Sequence, residues 1–144
     1  DVTAAAQDMA ARLDIDRFLI EPMAAKPVAE LIVGVTRSDV FGPVLVLGAG
    51  GVLVELYKDA TCLLLPTHED DVRAAISDLK IAKLLDGFRG GPKGDIDALV
   101  EAVMAVAHYA QDNRDTLDEL DINPLFVLSE GQGVVAVDAL IRKA

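Results

Sequence analysis

Apolar and polar positions change period several times along the chain, and each change marks an element. Ala4–Leu13 has a helical pattern. From Arg17 the period shortens, and Phe18-Leu19-Ile20 predicts a short strand stopped by Glu21-Pro22. Glu30–Val35, rich in β-branched residues, predicts a second strand. Pro43–Leu47 predicts a third, ending in Gly48-Ala49-Gly50-Gly51, and Val52–Tyr57 and Thr61–Leu65 extend the run. The connections are too short for crossover helices, so mostly antiparallel pairing is expected.

The period then lengthens. Glu69–Leu79 sets Val72, Ile76 and Leu79 on one helical face, with Glu69, Asp70 and Asp71 at the positive N-terminus. Ile81–Leu85 reads as a short further turn, and Asp86–Gly94 as a glycine-rich loop. Asp95–Gln111 is the longest helix: Ile96, Leu99, Val100, Val103, Val106, Ala107 and Ala110 share a stripe, and Asp95 caps it. Leu117–Leu128 and Val134–Leu140 predict a closing hairpin around Ser129–Gly133. The fold class is α+β, an antiparallel sheet carrying helices, in a single domain over 1–144.

Composition narrows the functions. Thirteen basic against twenty-four acidic residues give a net charge of -11, which argues against a nucleic-acid partner. No apolar run approaches the ~20 residues of a membrane span, and no signal-peptide pattern opens the sequence, so a cytoplasmic protein with no membrane partner is expected. The single Cys62, in Thr61-Cys62-Leu63-Leu64-Leu65, reads as a buried structural thiol and excludes a disulfide framework. The opening at Asp1, already in a helical pattern, reads as a cut-out domain or a processed fragment.

Three stretches could carry chemistry. In Glu119-Leu120-Asp121-Ile122-Asn123-Pro124-Leu125, strand alternation puts Glu119, Asp121 and Asn123 on one face. Closing the hairpin brings Asp138 beside Asn123. Such a face is either solvated or a hard-oxygen set suited to Mg²⁺. Pro124 points to an edge or a bulge that re-aims Asn123. The glycines after Leu47 either let a phosphate approach the backbone or make a plain tight turn. Arg89 and Lys93, on the loop, either hold an anion or are simply solvated. His68 and His108 sit at helix ends and carry no chemical pattern.

Taken in chain order, Gly48-x-Gly50-Gly51-x-x-Val54-Glu55-x-x-x-Asp59, then Gly87-x-Arg89-Gly90, then Glu119-x-Asp121-Ile122-Asn123-Pro124-Leu125 with Val137-Asp138-Ala139 resembles the ADP-forming acyl-CoA synthetases. These carry an ATP-grasp domain and are relatives of the succinyl-CoA synthetase β subunit. The resemblance covers about residues 15–142. It implies the second subdomain of an ATP-grasp fold, with a hinge strand near 17–23 and the first subdomain upstream of Asp1.

The resemblance also implies roles. Glu21, Pro22 and Met23, after Ile20, match the hinge whose backbone meets the adenine, and Glu30 matches the acid directed at the ribose. Asn123 and Asp138 match magnesium ligands, with Asp121 a helper. Gly48, Gly50, Gly51, Glu55 and a catalytic Arg89 occupy motif positions on the phosphate side. The implied cofactors are ATP or ADP and Mg²⁺. The implied partners are the first subdomain and the CoA-binding and ligase domains, in the same protein or a partner subunit. The implied reaction converts acyl-CoA, ADP and phosphate to free acid, CoA and ATP through an acyl phosphate and a phosphohistidine. The shuttle histidine lies outside this chain, and the fragment is expected to be inactive alone. Synthetase-like regions also serve as ligand-sensing regulatory domains of protein lysine acetyltransferases, which is the alternative. A carboxylate–amine ligase of the same nucleotide chemistry fits the motifs less well.

Overall fold

The computed structural model describes residues 1–51 and 58–144. Helix α1 (Val2–Leu13) is followed by strands β1 (Ala29–Ser38), β2 (Gly42–Ala49) and β3 (Ala60–Leu64). Helices α2 (Glu69–Asp78), α3 (Ala82–Leu85) and α4 (Ile96–Asp112) come next, then β4 (Leu117–Val127), β5 (Val134–Ala136) and β6 (Ala139–Lys143). The sheet runs β3-β2-β1-β4, and β5 and β6 both pair with the far side of β4. Every strand pairing among the described residues is antiparallel.

One face of this sheet is sealed. Leu31, Val33 and Val35 of β1, Leu45 and Leu47 of β2, and Leu120, Leu125 and Val127 of β4 are buried with Leu99, Val100, Val103, Val106, Ala107 and Ala110 of α4. The predicted stripe of α4 is thus the core stripe, except that Ile96 at its start is only partly buried. Helix α2 adds Val72, Ala75 and Ile76, and an Arg73–Asp97 ion pair of 2.8 Å joins it to α4.

Side-chain carboxylates fix the joints. Asp95 caps α4 by accepting from the Ala98 N–H at 3.2 Å, and its other oxygen accepts from the Gly133 N–H at 2.8 Å. One residue therefore ties the start of the helix to the β4–β5 turn. The Gly133 bond, more than the Ala98 bond, holds the Asp95 carboxyl below its ordinary value. Buried Asp59 accepts from the Lys80 and Ile81 N–H groups at 2.8 and 2.9 Å, anchoring the turn into α3.

Several expectations change. Residues 15–28 form no strand, so the predicted Phe18–Ile20 strand, and with it a hinge strand near 17–23, is not there. An apolar triplet becomes a strand only where a ladder partner exists, and both edges of β1 are taken by β2 and β4. The single closing strand is two, broken at Val137-Asp138 opposite an irregular stretch of β4. Cys62 is exposed rather than buried. It pairs with Val46 and so shares the face that no helix covers among the described residues. The Val52–Tyr57 strand and Glu55 lie outside the described residues.

Candidate functional site

The uncovered face of the sheet is where the predicted chemistry collects. Directly paired residues share a face, so the registers sort the side chains. Gly34 of β1 pairs with Val46 on one side and Asp121 on the other. Thr36 pairs with Val44 and Glu119, and Ile32 pairs with Gly48. Asp121 pairs in turn with Leu140, and Glu119 with Arg142. All belong to the side opposite the buried Leu31, Val33 and Val35.

At one end of this face Glu30 meets the glycine cluster. The Gly50 N–H donates to the Glu30 carbonyl at 2.6 Å. A Cβ on Gly50 would lie 2.9 Å from the Glu30 carbonyl carbon, and one on Gly51 would lie 3.0 Å from Glu30 Oε2. Gly51 also has a φ of 83°, a conformation in which side chains are rare. Three predicted binding residues are therefore one unit, and Gly48 stands next to it, its Cβ position 3.1 Å from Ala60 and from the Asp59 carbonyl. Spacing in the sequence does not reveal this contact, because it joins the start of β1 to the end of β2.

The acidic stretch is the second unit. The β1–β4 register slips between Leu31 and Val33, where Asn123 and Pro124 together stand opposite the single residue Ile32. This is the bulge that Pro124 predicts. The exposed Asn123 faces Asp138: its N–H donates to the Asp138 carbonyl at 3.1 Å, and the Val137 N–H donates to the Pro124 carbonyl at 3.1 Å. Burial raises the Asp121 carboxyl above its ordinary value, and the negative charges of Glu119 and Asp138 raise it further. Arg142 answers part of that charge, with its guanidinium 3.4 Å from Glu119.

These residues fit a hard cation. The Asn123 amide oxygen and the Asp121 and Asp138 carboxylates are oxygen donors, and the mutual repulsion at Asp121 is the kind a positive ion removes. Among the described residues no three His, Cys, Asp or Glu side chains form a metal-binding group by themselves.

The other predicted residues stand apart from these units. Glu21, Pro22 and Met23 lie on an exposed segment, Met23 at 97% exposure. Arg89 occupies a short 3₁₀ turn, Phe88–Gly90, with φ 53° and its guanidinium 5.3 Å from the Phe88 ring centre. Phe88 lines a cleft with Lys26, Pro27, Val28 and Pro92, beside the entry to β1. Asp59, a motif position, is structural. Gly34 is the neighbour that sequence reasoning passes over, since only the register of β1 against β4 reveals it.

Comparison with known proteins places the chain in a family. An ATP-grasp domain family model matches residues 1–142. The β subunit of the ADP-forming acetate–CoA ligase II of Pyrococcus furiosus is 42% identical over 128 residues, covering 89% of this chain and 54% of that protein. An ADP-forming acetate–CoA ligase of Methanocaldococcus jannaschii is 36% identical over 96% of this chain but only 20% of its own length. Among solved structures, apo dinucleotide forming acetyl-coenzyme A synthetase 1 of Ca. Korarchaeum cryptofilum superposes with a TM-score of 0.83 at 32% identity, covering all of this chain and 66% of that one. The same enzyme in complex with coenzyme A and Mg-AMPPCP gives 0.76 at 37% identity, covering 83% and 55%. The chain thus spans about half or less of the curated relatives it matches. It belongs to the ATP-grasp domain family and, within it, is similar to the ADP-forming acetate–CoA ligases.

Proposed function

We propose that this chain supplies the nucleotide- and Mg²⁺-binding part of an ADP-forming acid–thiol ligase. The reaction is the reversible conversion of acyl-CoA, ADP and phosphate to free acid, CoA and ATP through an acyl phosphate and a phosphohistidine. The observation that carries the reading is the pairing of Asn123 with Asp138 across the β4 bulge, beside Asp121, on the sheet face that no helix covers among the described residues. The relative crystallised with Mg-AMPPCP supports the choice of ligand.

In this reading Asn123 and Asp138 hold the cation and Asp121 accepts hydrogen bonds from its waters. Bound Mg²⁺ supplies charge neutralisation at the phosphates during transfer. Glu30 orients the ribose hydroxyls, while Gly48, Gly50 and Gly51 let the phosphates approach the backbone. Glu21, Pro22 and Met23 meet the adenine, and Arg89 stands on the phosphate side. The first ATP-grasp subdomain and the CoA-binding and ligase domains come from the rest of a larger protein or from a partner subunit, in the cytoplasm. This chain alone binds Mg·nucleotide weakly and does not turn over.

Calorimetric titration with Mg·ADP and Mg·ATP tests this, repeated with Asn123→Ala and Asp138→Ala. Binding that depends on Mg²⁺ and disappears in both folded variants is the expected result. If either variant unfolds the chain, the residues are structural and the assignment fails. Nucleotide binding without turnover, once the chain is joined to its CoA-binding domains, would instead favour the ligand-sensing role.

A further inference from the structure

The uncovered face has a notch in its floor. Gly34, Ile32 and Thr36 of β1, Val46 of β2, and Glu119 and Asp121 of β4 line a shallow cleft of about 170 Å³. Gly34 makes it. A Cβ there would stand 3.5 Å from Asp121 Oδ1 and 3.2 Å from the Leu120 carbonyl. Gly34 has no left-handed φ, so its backbone does not require glycine. What an alanine takes away is space beside one carboxylate oxygen. The cleft has room for several waters, and Asp121 and Glu119 would offer them polar partners.

We infer that Gly34 is a positioning residue for the cation: its missing side chain keeps room beside Asp121 for the ion's bound waters. The inference rests on the cation reading above and deepens it. A hard ion such as Mg²⁺ gives up its waters reluctantly, so a site with few protein ligands works only if hydrated ion and carboxylate fit together. The first strand, which contributes none of the proposed metal ligands, then decides how well the ion sits.

MnCl₂ titration followed by amide NMR broadening tests this on the whole chain. It is run on wild type, Gly34→Ala, Val46→Leu and Asn123→Ala. Val46→Leu fills the notch from the opposite wall, away from the β4 backbone, so it serves where Gly34→Ala disturbs the fold. Broadening centred on Asp121 and Asn123 is expected in wild type. Both notch-filling variants should bind about tenfold more weakly, equivalent to roughly 1.4 kcal/mol. Urea midpoints locate any fold defect separately. If both variants bind Mn²⁺ like wild type while Asn123→Ala does not, the notch inference is overturned and the cation reading stands. If wild type shows no broadening at these residues, both fall together.

Discussion

Replacing Gly50 with alanine perturbs the junction of β1 and β2 in a way that can be worked out atom by atom. The new Cβ would meet the Glu30 carbonyl carbon at 2.9 Å, its oxygen at 3.0 Å and the Leu31 carbonyl carbon at 3.1 Å. All three are main-chain atoms of a central strand, so no side-chain rotation relieves the overlap. The chain must shift, at the cost of the 2.6 Å bond from the Gly50 N–H to the Glu30 carbonyl. Overpacking of this kind costs about 1–3 kcal/mol. With a urea slope of roughly 2 kcal/mol per molar, the midpoint should fall by about 1 M. Because the overlap is with backbone, adding Glu30→Ala should not restore it, and the two changes should add to within about 0.5 kcal/mol. Gly51→Ala is the contrast. Its nearest clash is the Glu30 carboxylate at 3.0 Å, so Glu30→Ala should recover part of its cost and leave the part due to the φ of 83°. The two cycles are read by urea unfolding of three single and two double variants, without ligand. A Gly50→Ala midpoint equal to wild type, or one rescued by Glu30→Ala, would refute the reasoning.

Other predictions concern charge and packing. The Asp95 carboxyl is held low in the fold, so its contribution is complete above the unfolded value and is lost as pH falls through the folded one. Wild type should therefore lose more thermal stability on acidification than Asp95→Asn, which keeps a capping oxygen but no charge; parallel pH curves would count against this. Asp121 has the opposite sign: its raised value means that the ionised form weakens the fold and that protonation relieves it. Without divalent cations at neutral pH, Asp121→Asn should unfold at the same or a higher temperature than wild type, and a lower one would contradict the repulsion argument. Leu99→Ala, at a fully buried position of α4, should cost about 2–5 kcal/mol in chemical denaturation. Met9→Ala, on an α1 that buries no residue, should stay within about 0.5 kcal/mol, and a larger loss would mean that α1 is docked.

Much of this fold is written in local pattern, because local pattern is what decides it. The stripe from Leu99 to Ala110 has one way to bury itself, and β1 and β2 are β-branched runs joined by a short turn. Phe18-Leu19-Ile20 has the same apolar character without a ladder partner, and strand pairing is not a local property. Cys62 differs for a related reason: an apolar strand suggests two buried faces, but among the described residues this edge strand has helices on one side only. At the site, Asn123 and Asp138 could be matched because a hairpin fixes their register across a short turn. The approach of Glu30 to Gly50 and Gly51, and of Gly34 to Asp121, depends on long-range registers that no spacing encodes.

The β4 bulge has a consequence for how the chain tolerates change in length. Beyond a first irregularity between Leu117 and Glu119, the core-facing residues of this strand are even-numbered before the slip, Leu120 and Ile122, and odd-numbered after it, Leu125 and Val127. Asn123 and Pro124 form the phase correction that lets both halves point inward. Deleting either one would leave the two halves out of step and turn one apolar pair toward water. A deletion in the Ser129–Gly133 turn would meet no such arithmetic. The proposed cation ligand is thus also the strand's counting error. An evolving chain cannot tidy that irregularity away without giving up either its core or its site.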